Sequence, residues 1–277
     1  MPITKAIIPV AGWGTRRLPI TKIIEKSMLP VGNRPLVDYS VQELIQAGVK
    51  DIYMVISNAE PCQVKEFYSE NAALNDYLLA RGKNDRLELA KTLPDGVTIH
   101  YVQQNPSSKY GTAIPVAMVA EQFQIDEPVF VYMGDDFVWN PDGEPVAETL
   151  LNSVKGPDES ALVGITTPKS ALLNGGALTI VDERVTKITE KPKPEHVTGI
   201  ASISKYIIAP PLMREIIDYV HAHDFGPMDQ EYMITDPFAS YIEKGGIMRV
   251  ARTTGEYLDG GTLEGWIHAN NVVCGEK

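Results

Sequence analysis

Immediately after an apolar run, the chain reads Ala11-Gly12-Trp13-Gly14-Thr15-Arg16-Arg17-Leu18-Pro19, and Lys26 follows before Ser27-Met28-Leu29-Pro30. These residue types suit an anion. Two glycines allow positive φ, and successive backbone N–H groups in such a turn form an anion-binding nest. Arg16 adds a planar fork of donors for phosphate oxygens, and Lys26 adds a compact charge. Between residues 16 and 34 stand Arg16, Arg17, Lys22, Lys26 and Arg34 against a single acid, Glu25. Two phosphate loops are excluded by the spelling. A dinucleotide fingerprint needs glycine where Arg17 stands, and a Walker loop needs Gly-Lys-Ser/Thr.

Other chemistry-bearing residues lie far along the chain. Asp135-Asp136 follow the apolar run Pro128–Met133, and Asp259 sits in Tyr257-Leu258-Asp259-Gly260-Gly261-Thr262. Adjacent acids after a strand form a turn or a helix cap as readily as a metal site. Mg²⁺ usually takes one or two carboxylates plus substrate phosphates, so two such acids suffice. Gln104, in Val102-Gln103-Gln104, carries both a donor and an acceptor, as an imide base edge requires. No Ser-His-Asp or Cys-His arrangement is recognisable.

Positioning these residues requires an alternating α/β chain. Lys5–Val10 reads as a strand covered on both faces, Leu36–Ala47 as a helix capped by Gly48, and Asp51–Ser57 as the next strand. Residues 62–92 read as a polar helical excursion. Val97–Val102 is a strand, Gly111–Phe123 a helix, Pro128–Met133 a strand, Glu144–Val154 a helix and Ser160–Thr166 a strand. Short β pieces then follow at Ala177–Val181, Val185–Thr189 and Ile200–Ile208. Helices are expected at Pro211–His221 and Gln230–Lys244, a strand at Ile247–Arg252 and a closing helix from Thr262. The expected fold is a Rossmann-like, mostly parallel mixed sheet flanked by helices, with a smaller β-rich part. It is expected to form one domain over 1–277, divided near residue 155. Ligands on such sheets bind beyond the carboxyl ends of strands, where the loop at 11–17 and the acids at 135 and 259 can meet.

Composition narrows the class. The 277 residues are 44% hydrophobic and 22% charged, ordinary for a globular protein. A net charge of −11 argues against a nucleic-acid partner. No apolar run is long enough for a bilayer, and no membrane association is expected. Cys62 and Cys274 lack metal-ligand spacing, so a reducing cytoplasm is the default.

The run AGWGTRRLPITKIIEKSMLPVGNRPLVDY resembles the signature of the sugar-1-phosphate nucleotidylyltransferases. It is similar in particular to that of the bacterial UTP–glucose-1-phosphate uridylyltransferases, and also to the dTTP-dependent thymidylyltransferases. The resemblance covers almost the whole chain. It implies transfer of a nucleotidyl group from UTP to glucose 1-phosphate with Mg²⁺, in a homo-oligomer. It implies nucleotide contacts from Ala11, Gly12, Gly14, Thr15 and Arg16, and a phosphate-bridging Lys26. Gln104 would read the base, and Gly111, in Tyr110-Gly111-Thr112-Ala113, would leave room for it. Asp135 and Asp259 would hold the metal. Gly176, Glu190 and Lys191 would bind the sugar phosphate, the last two in Glu190-Lys191-Pro192.

Two cues choose between the relatives and disagree. The excursion at 62–92 resembles the uridylyltransferases, whereas Tyr-Leu-Asp-Gly-Gly-Thr is closer to the thymidylyltransferase pattern; the larger insertion favours UTP. The sequence departs from the family pattern at Glu25 and Ser27, which flank the lysine, and at Gly134, where a proline is usual. The departures at Glu25 and Ser27 motivate a further alternative, a weakly active paralogue that binds nucleotide sugar and regulates a partner.

Overall fold

The computed structural model describes residues 2–58, 61–105, 109–166, 176–193, 199–226 and 230–275. The chain is α/β. Its strands are β1 Lys5–Pro9, β2 Pro30–Val31, β3 Arg34–Pro35, β4 Asp51–Ser57, β5 Thr98–Gln104, β6 Val129–Tyr132, β7 Asp136–Trp139, β8 Ser160–Thr166, β9 Gly176–Val181, β10 Arg184–Glu190, β11 Ile200–Ile208, β12 Met248–Arg252 and β13 Glu256–Asp259. Its helices are α1 Leu36–Gln46, α2 Gln63–Tyr68, α3 Ala72–Ala80, α4 Leu87–Ala90, α5 Ala113–Gln122, α6 Val146–Ser153, α7 Pro210–Ala222, α8 Thr235–Glu243 and α9 Leu263–Cys274.

Among the described residues nine strands form one sheet in the order β5-β4-β1-β6-β11-β8-β12-β10-β9. The β5-β4-β1-β6 half is parallel throughout, as is the β8–β12 pair, while β11 runs antiparallel to both β6 and β8. Apolar strands such as Ala6–Ile8 and Val129–Tyr132 are buried because helices cover both faces. On one face Ile7, Val131 and Tyr206 pack with α5 and α7; on the other Ile8, Phe130 and Ile207 pack with α1 and α6. Each fully buried side chain of this size contributes roughly 1.5–3 kcal/mol.

Two features differ from the expected elements. The helix expected over Gln230–Lys244 starts only at Thr235. The Tyr232 N–H donates to the Tyr110 carbonyl (2.8 Å) and its carbonyl accepts from the Ala113 N–H (2.9 Å), so neither is free for a helical turn. The acids at 136 and 259 lie in strands that short-range pattern did not show. Strands β7 and β13 form a separate antiparallel ribbon with Asp136 opposite Asp259. Among the described residues no helix is long and apolar enough to cross a membrane.

Candidate active site

The parallel strands deliver the predicted residues to one edge. Ala11 follows β1, Gln104 ends β5 and Asp135 follows β6, all at carboxyl ends. Lys205 on antiparallel β11 sits opposite Tyr132, the last residue of β6. Ser202, three residues earlier, therefore lies beyond that end, and Gly176 pairs with it. Glu190 pairs in turn with Gly176, so the β9–β10 hairpin brings the expected sugar residues to the same edge.

At the loop, Gly14 adopts φ 61°, and a Cβ there would lie 2.9 Å from the Lys26 Cβ and 3.0 Å from the Thr21 Cγ2. The glycine therefore lets the lysine segment fold back against the loop, a fold-back that the Thr21 hydroxyl holds by donating to the Gly14 carbonyl at 2.9 Å. Gly12 has no atom within 4 Å of where a side chain would begin. The basic cluster divides by burial and pairing. Arg17 is 5% exposed, with its guanidinium 5.0 Å from the Trp266 ring centroid on α9, and Arg34 pairs with Asp38 at 2.7 Å. Arg16 is exposed and makes no ion pair among the described residues. Lys26 pairs with Asp135, their side chains 13% and 37% exposed.

The β7–β13 ribbon closes the acidic side. The Gly260 N–H donates to the Asp135 carbonyl at 3.0 Å, and the Gly261 N–H donates to Asp259 Oδ1 at 2.7 Å. A Cβ at Gly261 would lie 3.2 Å from the Lys26 Nζ and 2.8 Å from Asp259 Oδ1, so lysine and second acid converge there. Burial alone would raise the Asp135 carboxyl, but the Lys26 ammonium, with Lys205 behind it, holds it below the usual carboxylate range. Asp259 is pushed above its ordinary value, first by burial and then by the charge of Asp135; the Gly261 N–H, Lys26 and Arg16 oppose this. Asp136 has other partners. Its carboxylate accepts from Lys205, 2% exposed, and from the Tyr257 hydroxyl at 3.1 Å.

The base and sugar segments are tied together by residues 232–235. Besides the Tyr232 bonds to 110 and 113, the Ile234 N–H donates to Thr112 Oγ1 (2.9 Å), and the Thr235 hydroxyl donates to Glu190 Oε2 (3.2 Å). Burial raises the Glu190 carboxyl, opposed by the Thr235 hydroxyl and Lys191. Lys191 adopts φ 42°. Gly111 adopts φ 135°, and a Cβ on it would lie 2.4 Å from the Tyr232 nitrogen, so neighbouring main chain by itself demands glycine there.

Sequence reasoning passed over Lys205, Thr235 and the role of Tyr257. For Lys205 a signal existed: a lysine in the middle of the apolar strand Ile200–Ile208. A buried ammonium needs partners, but the strand does not say which.

The family profile described as nucleotidyl transferase matches residues 5–275. The UTP–glucose-1-phosphate uridylyltransferase of Staphylococcus haemolyticus is 32% identical over 84% of this chain and 80% of its own length. That of Pseudomonas aeruginosa is 29% identical over 97% of this chain and 95% of its own length. Among solved structures, a UTP-bound UGPase from Acinetobacter baumannii superposes with a TM-score of 0.85 at 22% identity, covering 98% of this chain and 93% of that one. A UDP-glucose pyrophosphorylase complexed with UDP-glucose gives 0.78 at 22% identity over 99% and 100%. With a phosphate-type loop, a lysine–aspartate pair and a second acid converging at one sheet edge, and a family match over nearly its full length, this chain belongs to the nucleotidyl transferase family.

Proposed function

We propose that this enzyme transfers the uridylyl group of UTP to glucose 1-phosphate, giving UDP-glucose and pyrophosphate. The observation that carries the reading is the Lys26–Asp135 pair with Asp259 held beside it by the β7–β13 ribbon. In the reaction a phosphate oxygen of the sugar attacks the α-phosphorus of UTP, forming one P–O bond while the α–β bridging bond breaks and pyrophosphate leaves. Two polyanions must approach, so charge neutralisation and positioning supply most of the catalysis. The attacking oxygen is already anionic and needs no general base.

Arg16 and the open backbone at Gly12 receive the triphosphate, with Ala11, Gly14 and Thr15 shaping the loop. Lys26 bridges phosphates at the reacting phosphorus. Gln104 reads the uracil edge beside Gly111. Glu190 accepts from sugar hydroxyls, Lys191 meets the sugar's phosphate, and Gly176 lies beneath the sugar. Residues 1–155 form the nucleotide part and 156–277 the sugar-phosphate part, with Asp259 returning from the second to the first.

Asp135 and Asp259 fit Mg²⁺. Two carboxylates converge beside Lys26, and burial together with the charge of Asp135 disfavours ionisation of Asp259, an electrostatic condition a divalent cation relieves. When bound, the ion would neutralise charge developing on the phosphate oxygens. We also read the protein as a cytoplasmic homo-oligomer.

The excursion realised as α2, α3 and α4 supports UTP over dTTP, the same cue its sequence carries. The regulatory alternative loses its main support, because the Glu25 carboxylate bonds the Gln63 N–H rather than Lys26. A matrix of nucleoside triphosphates against sugar 1-phosphates, scored by pyrophosphate release, tests the assignment. Highest kcat/KM with UTP and glucose 1-phosphate is expected, and no release with any pair would overturn it.

A further inference from the structure

Lys205 uses all of its hydrogen-bonding capacity on the turn that carries Asp135. Its Nζ donates to the Met133 carbonyl at 3.0 Å, to the Asp136 carbonyl at 2.9 Å, and to the Asp136 carboxylate. An ammonium has three donors, so none is left over. The three acceptors belong to residues on either side of Asp135. The same turn is held at Met133, whose N–H donates to the Ser204 carbonyl at 3.0 Å. Behind the ammonium, the Tyr132 ring centroid lies 5.0 Å away, and the Tyr132 hydroxyl is anchored on Glu43 at 3.0 Å.

If the role of Lys205 were charge balance alone, a bond to the Asp136 carboxylate would suffice. A buried ion pair of that kind is weak support for stability, and apolar replacements of the same volume are often neutral or better. The two carbonyl bonds serve a different end. Carbonyls 133 and 136 bracket the peptide units of Gly134 and Asp135, so fixing both fixes the direction in which the Asp135 side chain leaves the main chain. The Gly260 N–H then holds the Asp135 carbonyl from the other side.

We infer that Lys205 is a positioning residue for the reaction: by clamping the carbonyls of Met133 and Asp136 it aims the Asp135 carboxylate at Lys26 and the cation. The inference rests on the assignment of Asp135 as a cation ligand in the proposed function. Lys205 is buried with its ammonium committed to this turn, so it acts through Asp135 and not on substrate directly.

The test is a Mn²⁺ titration followed by electron paramagnetic resonance, on the full chain with UTP and no sugar phosphate. Wild type is compared with Lys205→Met and with the double variant Lys205→Met/Asp136→Leu, alongside steady-state kinetics with Mg²⁺. Lys205→Met is expected to weaken Mn²⁺ binding at least tenfold and to lower kcat by about 10²-fold, as loss of a preorganised charge-stabilising group does. KM for glucose 1-phosphate should stay within threefold, because Glu190 and Lys191 are untouched. The double variant removes both buried charges, so it folds even where the single variant does not, and it should bind Mn²⁺ as weakly. Wild-type Mn²⁺ affinity in the double variant would reduce Lys205 to a counter-charge for Asp136 and overturn the inference, as would wild-type affinity in Lys205→Met. Absence of Mn²⁺ binding by the wild type would overturn the proposed function and this inference together.

Discussion

Glu25 and Gln63 hold each other by a reciprocal pair of hydrogen bonds. The Gln63 N–H donates to Glu25 Oε1 at 2.7 Å, and the Glu25 N–H donates to Gln63 Oε1 at 2.8 Å. The Gln63 amide also donates to the Ile23 carbonyl at 3.1 Å. The acid beside Lys26 therefore fastens the lysine segment to the start of α2 and leaves Lys26 to Asp135. Glu25→Ala should cost about 1 kcal/mol of stability, the net worth of a hydrogen bond of this kind. Turnover should fall only a few-fold. Thermal unfolding and pyrophosphate release check both; turnover well above wild type would mean that Glu25 screens the lysine.

Lys26→Ala removes the compact charge at the convergence of Asp135 and Asp259. Turnover is expected to drop on the order of 10²-fold, as for other preorganised charge-stabilising groups. The same change leaves the Asp135 carboxyl without the ammonium that offsets its burial. Near-normal kcat in the purified variant would remove Lys26 from the reaction.

Gly111→Ala tests packing against chemistry at the base segment. An added Cβ meets the Tyr232 main chain at 2.4–2.7 Å and requires a residue with a side chain at φ 135°. Strain of this kind costs about 1–3 kcal/mol. The melting temperature should fall, and KM for UTP should rise because Tyr232 also holds residues 110 and 113. An unchanged melting temperature would refute the clash.

A pH-dependent contribution to stability comes from Glu159, far from the site. The Arg249 Nε and Nη2 donate to its two oxygens at 2.9 and 2.6 Å, and this pairing holds the carboxyl below its usual value. The folded state thus binds that proton more weakly than the unfolded chain. The pair's contribution is full above the ordinary carboxylate range, near pH 4.5, and is lost as pH falls through the lowered folded value. Glu159→Gln should cost about 1 kcal/mol at pH 7, given the partial solvent access of such pairs. The gap to wild type in urea unfolding should narrow as the solution is acidified below pH 4.5. A gap that holds constant with pH would assign the cost to packing instead.

Much of this architecture was legible along the chain. Apolar runs at 5–10, 51–57 and 128–133 with intervening helical periodicity dictate a parallel α/β sheet, because only strands covered on both faces bury such runs. Once β1, β5 and β6 are parallel neighbours or next-neighbours, Ala11, Gln104 and Asp135 must emerge at one edge. The spelling of the loop at 11–19 and its family resemblance identified the reaction class. What the sequence left open was pairing between distant segments. Asp135 and Asp136 are chemically identical neighbours, and only the ribbon and Lys205 decide that Asp135 faces Lys26 while Asp136 is buried. Arg16 and Arg17 look equivalent, yet Trp266, some 250 residues on, takes Arg17 into the interior. The Tyr232 backbone decides where α8 begins by bonding to residues 110 and 113. Periodicity records which face of an element is buried; it carries no information about which polar group from elsewhere in the chain will satisfy a buried charge or a free N–H, and at this site those partners set the chemistry.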